Sequence, residues 1–202
     1  MFALVESGSI TQMINGNTGI TVDGVQHPRT IFTLWTEAER NAIGIYTVEI
    51  DESKKKDEQW YINTNITYAF DGSKVTGSYG DATAKAHADT LFTAQDETDG
   101  LGTEGDVKAE GLKTRLIRDV KTQAQNILND TDWYITRKAE KDTAIPSAIS
   151  THRDAVRTKQ AEMETAITNA SDTPALETLY THTKQEDGSV TRPLGELPTL
   201  ED

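Results

Sequence analysis

Gly100-Leu101-Gly102-Thr103-Glu104-Gly105 spells the GxGxxG pattern with which a backbone turn can cradle a dinucleotide pyrophosphate. That chemistry needs a strand before the turn and a field that attracts phosphate. Here the preceding residues include Asp96, Glu97 and Asp99, which repel it. The pattern therefore reads as an acidic hinge over residues 93–106, with no nucleotide cofactor. Calcium is the other chemistry this run suggests. With Gly100 as the sixth loop position, Glu97 and Asp99 fall on ligand positions three and five. Gln95 and Asp106 then occupy positions one and twelve, where an Asp and a bidentate Glu are needed. A solvated acidic loop is the better reading.

The remaining reactive residue types are no more organised. His27, His87, His152 and His182 stand at no HxH, HExxH or other short ligand spacing. The chain has no cysteine, which removes thiolate ligands, disulfides and Cys nucleophiles. No GxSxG elbow anchors a serine triad. With 33 Asp and Glu residues, carboxylate pairs occur at every spacing and lose diagnostic value for glycosidase chemistry. The expectation is a protein that is not an enzyme and holds no cofactor or metal.

Aromatic residues are only 6% of the chain, so each has a large share of the available burial. Trp60-Tyr61 and Trp133-Tyr134 are paired dipeptides, and Trp35 is flanked by apolar residues. Their ordinary role is to stitch cores. Their alternative role is to anchor a partner, since Trp and Tyr dominate interface energetics. Trp133-Tyr134, beside Arg137 and Lys138 in an acidic chain, is the first choice for a partner interface. Trp35, Trp60 and Tyr61 complete the candidate set.

The elements that must position these residues divide the chain in three. Residues 1–80 read as a β-rich module. Ile20 and Val22 alternate with Thr21 and Asp23, Ile45–Ile50 follows as a strand, and Trp60–Phe70 precedes the hairpin signal Asp71-Gly72. Thr36 and Glu39 fit a capping box for a brief helix that Gly44 ends. Residues 81–182 read as helical. Ala82–Phe92 is Ala-rich and Asp106–Leu128 is amphipathic through Leu112, Leu116, Val120 and Ala124. A short helix follows over Trp133–Lys141. Pro146 then opens a helix through Ile149, Val156, Met163 and Ile167, which packs on the first as an antiparallel hairpin. Thr173-Pro174 opens one last short helix. Residues 183–202, with Gly188, Pro193, Gly195 and Pro198, read as an extended or flexible tail. The fold expected is α+β: a small antiparallel sheet, then a helical hairpin, then the tail.

A net charge of -13 argues against nucleic acid and anionic membranes as partners. The N-terminus lacks a basic region ahead of its broken apolar run, which predicts no secretory leader. No stretch is apolar enough to span a bilayer.

Three runs carry a resemblance. They are HPRTIFTLWTEAERNAIGIYTVEI, YGDATAKAHADTLFTAQDETDGLGTEGDVKAEGLK and TDWYITRKAEKDTAIPSAISTHRDAVRTKQAEMETAI. They are similar to tail proteins of marine bacteriophages, and the last resembles the C-terminal helical domain of tail-fibre assembly chaperone-like proteins. The resemblance spans most of the chain beyond residue 25 and brings no catalytic residues. It implies a non-enzymatic virion component, made in the host cytoplasm, that binds a tail fibre or links parts of the tail or baseplate. Self-association is a further partner class. A transient assembly chaperone and a carbohydrate-binding adhesin with Trp35 or Trp60 as stacking platform are the rival readings. Deleting Thr183–Asp202 is expected to weaken partner binding.

Overall fold

In β1 (Phe2–Glu6) both Ala3 and Leu4 are buried, on opposite faces, which is the mark of a strand covered on two sides. A computed structural model describes residues 1–200; the last two residues of the expected tail, Glu201 and Asp202, lie outside the described residues. The chain forms two compact units, Met1–Thr83 and Ala84 onward, and the class is α+β.

In the first unit β1 turns through Ser7 and Gly8, both at positive φ, into β2 (Ser9–Ile14). The hairpin β3 (Ile20–Val22) and β4 (Val25–His27) follows, then α1 (Ile31–Leu34) and α2 (Glu37–Asn41). The capping box of α2 forms: Thr36 Oγ1 accepts from Glu39 N at 3.3 Å and Glu39 Oε2 accepts from Thr36 N at 2.7 Å. Gly44, at φ +78, leads into β5 (Ile45–Asp51), where a Cβ would come within 2.6 Å of Val5 O. Two-residue strand β6 (Tyr61–Ile62) precedes β7 (Thr67–Phe70) and β8 (Val75–Ser78), and β9 (Thr83–Ala84) begins at the last residue of the unit.

The main sheet has the order β2-β1-β5-β8-β7. Three of its joints are antiparallel, but β5 and β8 pair in parallel, Val48 opposite Val75. This departs from the antiparallel meander read from the sequence. The Asp71-Gly72 turn does close the β7–β8 hairpin, with Asp71 Oδ1 accepting from Ser73 N at 2.8 Å and Lys74 N at 2.9 Å. It is the returning arm that docks on β5, which the long connection after β5 permits. One face of the sheet packs Leu4, Ile14 and Ile45 against Ile20, Val22, Ile31 and Phe32. The other packs Ala3, Val48 and Val75 with Val5, Tyr46, Tyr68 and Phe70.

The second unit opens on a segment expected to be helical, Ala82–Phe92, which contains no helix; β10 (Thr90–Leu91) lies at its end. Helix propensity is a weak prior that tertiary bonds override. Here Ala86 O and His87 O accept from Leu112 N and Lys113 N, the orphan donors of the following long helix. Asp89 accepts from Gly111 N at 2.7 Å and Thr114 Oγ1 at 2.8 Å. Gly111 has no cap of its own to offer, so Asp89 supplies it from a distance. A Cβ on Gly111 would sit 2.3 Å from the Ala88 carbonyl carbon.

Within the expected hinge, α3 (Ala94–Thr98) and β11 (Val107–Ala109) form, β11 pairing with β10. The amphipathic helix therefore starts later than expected, as α4 (Leu112–Asn129). It is followed by α5 (Asp132–Lys141), α6 (Ser147–Asn169) and α7 (Thr173–Tyr180). Leu112, Leu116, Val120 and Ala124 of α4 are buried, as are Ile149, Val156, Met163 and Ile167 of α6. The two helices run antiparallel: Lys113 Nζ donates to Thr168 O near one end, and Arg153 reaches Leu128 O near the other. After α7, the segment expected to be extended forms a hairpin, β12 (Thr183–Lys184) with β13 (Val190–Thr191). Leu194 beyond it is 2% exposed, and its N–H donates to Leu179 O at 3.0 Å. This stretch is bound into the unit by an apolar anchor that its Gly and Pro content hides.

Candidate partner interface

No residue of α5 is buried, although the helix carries Trp133, Tyr134 and Ile135. Trp133 is 52% exposed and Ile135 41%. At about 100° per residue, Trp133, Arg137, Lys141, Tyr134 and Lys138 fall in sequence around one side of the helix. The Arg137 guanidinium lies 4.4 Å from the Trp133 ring centroid and 5.3 Å from that of Tyr134, and the two rings are 4.7 Å apart. A cation over aromatic rings is attracted by their quadrupoles, and here the two ring planes stand 43° apart. Lys138 pairs with Asp142, which caps the helix in the left-handed conformation at φ 53. Lys138 and Lys141 also suit the negative end of the helix dipole.

A helix without buried residues needs something else to fix it. Arg153 of α6 does this. Its side chain is 8% exposed, and its Nη1 donates to Leu128 O at 2.8 Å and Thr131 Oγ1 at 2.6 Å. Its Nη2 pairs with Asp132 at 2.8 Å. One guanidinium thus ties the end of α4, the link and the start of α5. Thr131 is 3% exposed and also donates to Leu128 O at 3.0 Å. Thr131, Asp132 and Arg153 belong to the TDWY and RDAVR runs of the sequence, which this joint brings together. Sequence reasoning missed Arg153 and Lys141. A cation one helical turn after Ile149, inside the apolar stripe of α6, was the available signal for the first. The i, i+4 spacing from Arg137 was the signal for the second.

The other candidates lie elsewhere. Trp60 and Tyr61 are 3% and 5% exposed, so they are core residues of the first unit and present no face to a partner or sugar. Trp35 is half-buried against the core that includes Ile31 and Phe32, with its ring edge-on to His27 at 5.6 Å. Its carbonyl accepts from Arg40 Nη1. The candidate set contracts to Trp133, Tyr134, Arg137 and Lys138, with Lys141 added.

The GxGxxG run is a turn between α3 and β11. Gly100 and Gly105 are at positive φ, and a Cβ on Gly102 would lie 2.6 Å from the Phe92 ring. Its carboxylates are engaged locally. Asp96 accepts from Thr93 N at 2.9 Å and from Lys108 Nζ at 2.6 Å, which holds its pKa down at about 2. Glu97 accepts from Glu104 N, and Asp99 from Gln95. Among the described residues no three His, Asp or Glu side chains gather into a metal-holding group, and no helix is long and apolar enough to cross a membrane. No family model, curated protein or solved structure matches the chain.

Proposed function

We propose that this chain is a non-catalytic, partner-binding component of a bacteriophage tail, and that the outer side of α5 is its docking face for a tail fibre. The observation that carries the reading is a helix held at its start by Arg153, whose Trp133 is about half exposed and whose Arg137 is stacked on two rings. Leaving such residues on a surface forgoes burial worth roughly 1.5–3 kcal/mol for each large side chain. A partner that covers them recovers it. The basic residues of this face, in a chain of net charge -13, favour a partner surface with an apolar centre and carboxylates around it. The tail assignment is supported by the resemblance of the TDWY…RDAVR run; the docking face is supported by the geometry of α5.

The test is co-expression of the full chain with the tail-fibre protein of the same phage. Trp133→Ala and Arg137→Ala are expected to reduce co-purification by about tenfold each, as interface hot spots do, with unchanged circular dichroism. Undiminished co-purification of both variants would sink the docking face. Mass spectrometry of purified virions addresses the tail assignment separately: stoichiometric presence marks a permanent part, and absence marks a transient assembly chaperone.

A further inference from the structure

The start of α6 combines two features that the docking face does not use. Pro146 precedes the helix without a side-chain cap, and the first turn holds no acidic residue. The first bond of the ladder runs from Ser150 N to Pro146 O at 3.1 Å, so the N–H groups of Ser147, Ala148 and Ile149 donate to no described group. Independently, His152 is 8% exposed and hydrogen-bonds to no described residue. Its side chain lines a cleft of about 410 Å³ with Ser147, Ala148, Thr151, Thr199 and Leu200. Helical side chains lean toward the N-terminus, so a residue at position 152 covers the turn that begins at Ala148. The imidazole and the uncapped N–H groups thus serve the same opening.

We propose that the N-terminus of α6 and His152 form a binding site for a small oxyanion, a carboxylate or a phosphate. The free N–H groups and the positive end of the helix dipole supply the attraction. An imidazole always keeps at least one N–H, and the His152 ring lines the cleft although the residue as a whole is 8% exposed. Ser147 and Thr151, both exposed, also line the cleft. The chain's overall negative charge acts weakly here, because charges beyond about 8 Å are screened at physiological salt while these donors are in contact. The site stands or falls apart from the α5 face.

The experiment titrates inorganic phosphate, and acetate in a parallel arm, into the full chain at constant ionic strength while NMR follows backbone amides and histidine rings. Saturable shifts are expected at Ser147, Ala148, Ile149 and the His152 ring, with His27, His87 and His182 unmoved. The anion that saturates at lower concentration identifies the oxyanion class. Ala148→Glu places a carboxylate on the exposed first turn, where it suits the helix dipole. It is expected to abolish the phosphate shifts without lowering the thermal midpoint. His152→Gln, which keeps a donor but not the ring, is expected to weaken binding about tenfold, the usual effect of losing one good hydrogen bond to an anion. Shifts that rise linearly with phosphate, or that persist in Ala148→Glu, overturn the site.

Discussion

At the scale of single residues, two side chains decide more than their neighbours. Arg153 bonds at once to the end of α4, to the link and to the first residue of α5. Arg153→Met keeps much of the volume but removes the charged donor to Thr131 Oγ1 and to Leu128 O, the latter still reached by Thr131, at an expected cost of about 2–3 kcal/mol in urea unfolding. Asp132→Asn removes only the outer partner, half exposed, and should cost less than 1 kcal/mol or so. Equal losses in the two variants would show that the junction does not depend on the buried end of the guanidinium. Asp96 is the second. Its bond to Lys108, and then those to Thr93, depress its pKa from 3.8 to about 2. The unfolded chain therefore binds the proton more readily between those values, and the stabilisation it gives is full above about pH 4 and lost as pH falls through about 2. An NMR titration should place the Asp96 carboxyl midpoint near 2 and show the Thr93 amide shifting with it. A midpoint near 4 would mean that Lys108 and the capping box do not hold the charge.

At the scale of elements, the boundary between what the residues announce and what they conceal is sharp. The long helices are legible because Leu116, Val120 and Ala124, and Val156, Met163 and Ile167, repeat at helical spacing. The β7–β8 hairpin is legible from Asp71-Gly72, but which arm meets β5 is not, because a turn fixes only its own two strands. Ala82–Phe92 misleads since its carbonyls are recruited by the N–H groups of α4, a non-local demand that no local propensity reports. The docking face was half legible: Trp133, Tyr134, Arg137 and Lys138 were read from type and spacing, whereas the burial of Trp60 and Tyr61 depends on packing. The stretch after α7 tests the same lesson. Leu194→Ala removes a fully buried side chain and should destabilise the second unit by about 2–5 kcal/mol, and limited proteolysis of the unaltered chain should spare residues 183–194. Rapid cleavage there, with no stability change in Leu194→Ala, would restore a free tail. Deleting Thr183–Asp202 is consequently not a clean probe of binding, since Leu194 leaves with it.

At the scale of the whole molecule, each unit owns its apolar core: Leu4, Ile45, Val48 and Val75 in the first, Leu116, Val156, Met163 and Leu176 in the second. Residues 84–202 expressed alone should retain the α4–α6 circular dichroism and a cooperative thermal transition; a fragment without one would show that the second unit depends on the first. The helix α5 adds a consequence of another kind. Because none of its residues is fully buried and Arg153 holds it at its first residue, its sequence is largely free of the demands of foldability. Substitutions from Trp133 to Lys141 can accumulate without eroding the scaffold, whereas those at Thr131, Asp132 and Arg153 cannot. Such a segment behaves as an exchangeable cassette: a lineage can retarget it to a new partner in a few steps, and a laboratory can do so by randomising it wholesale.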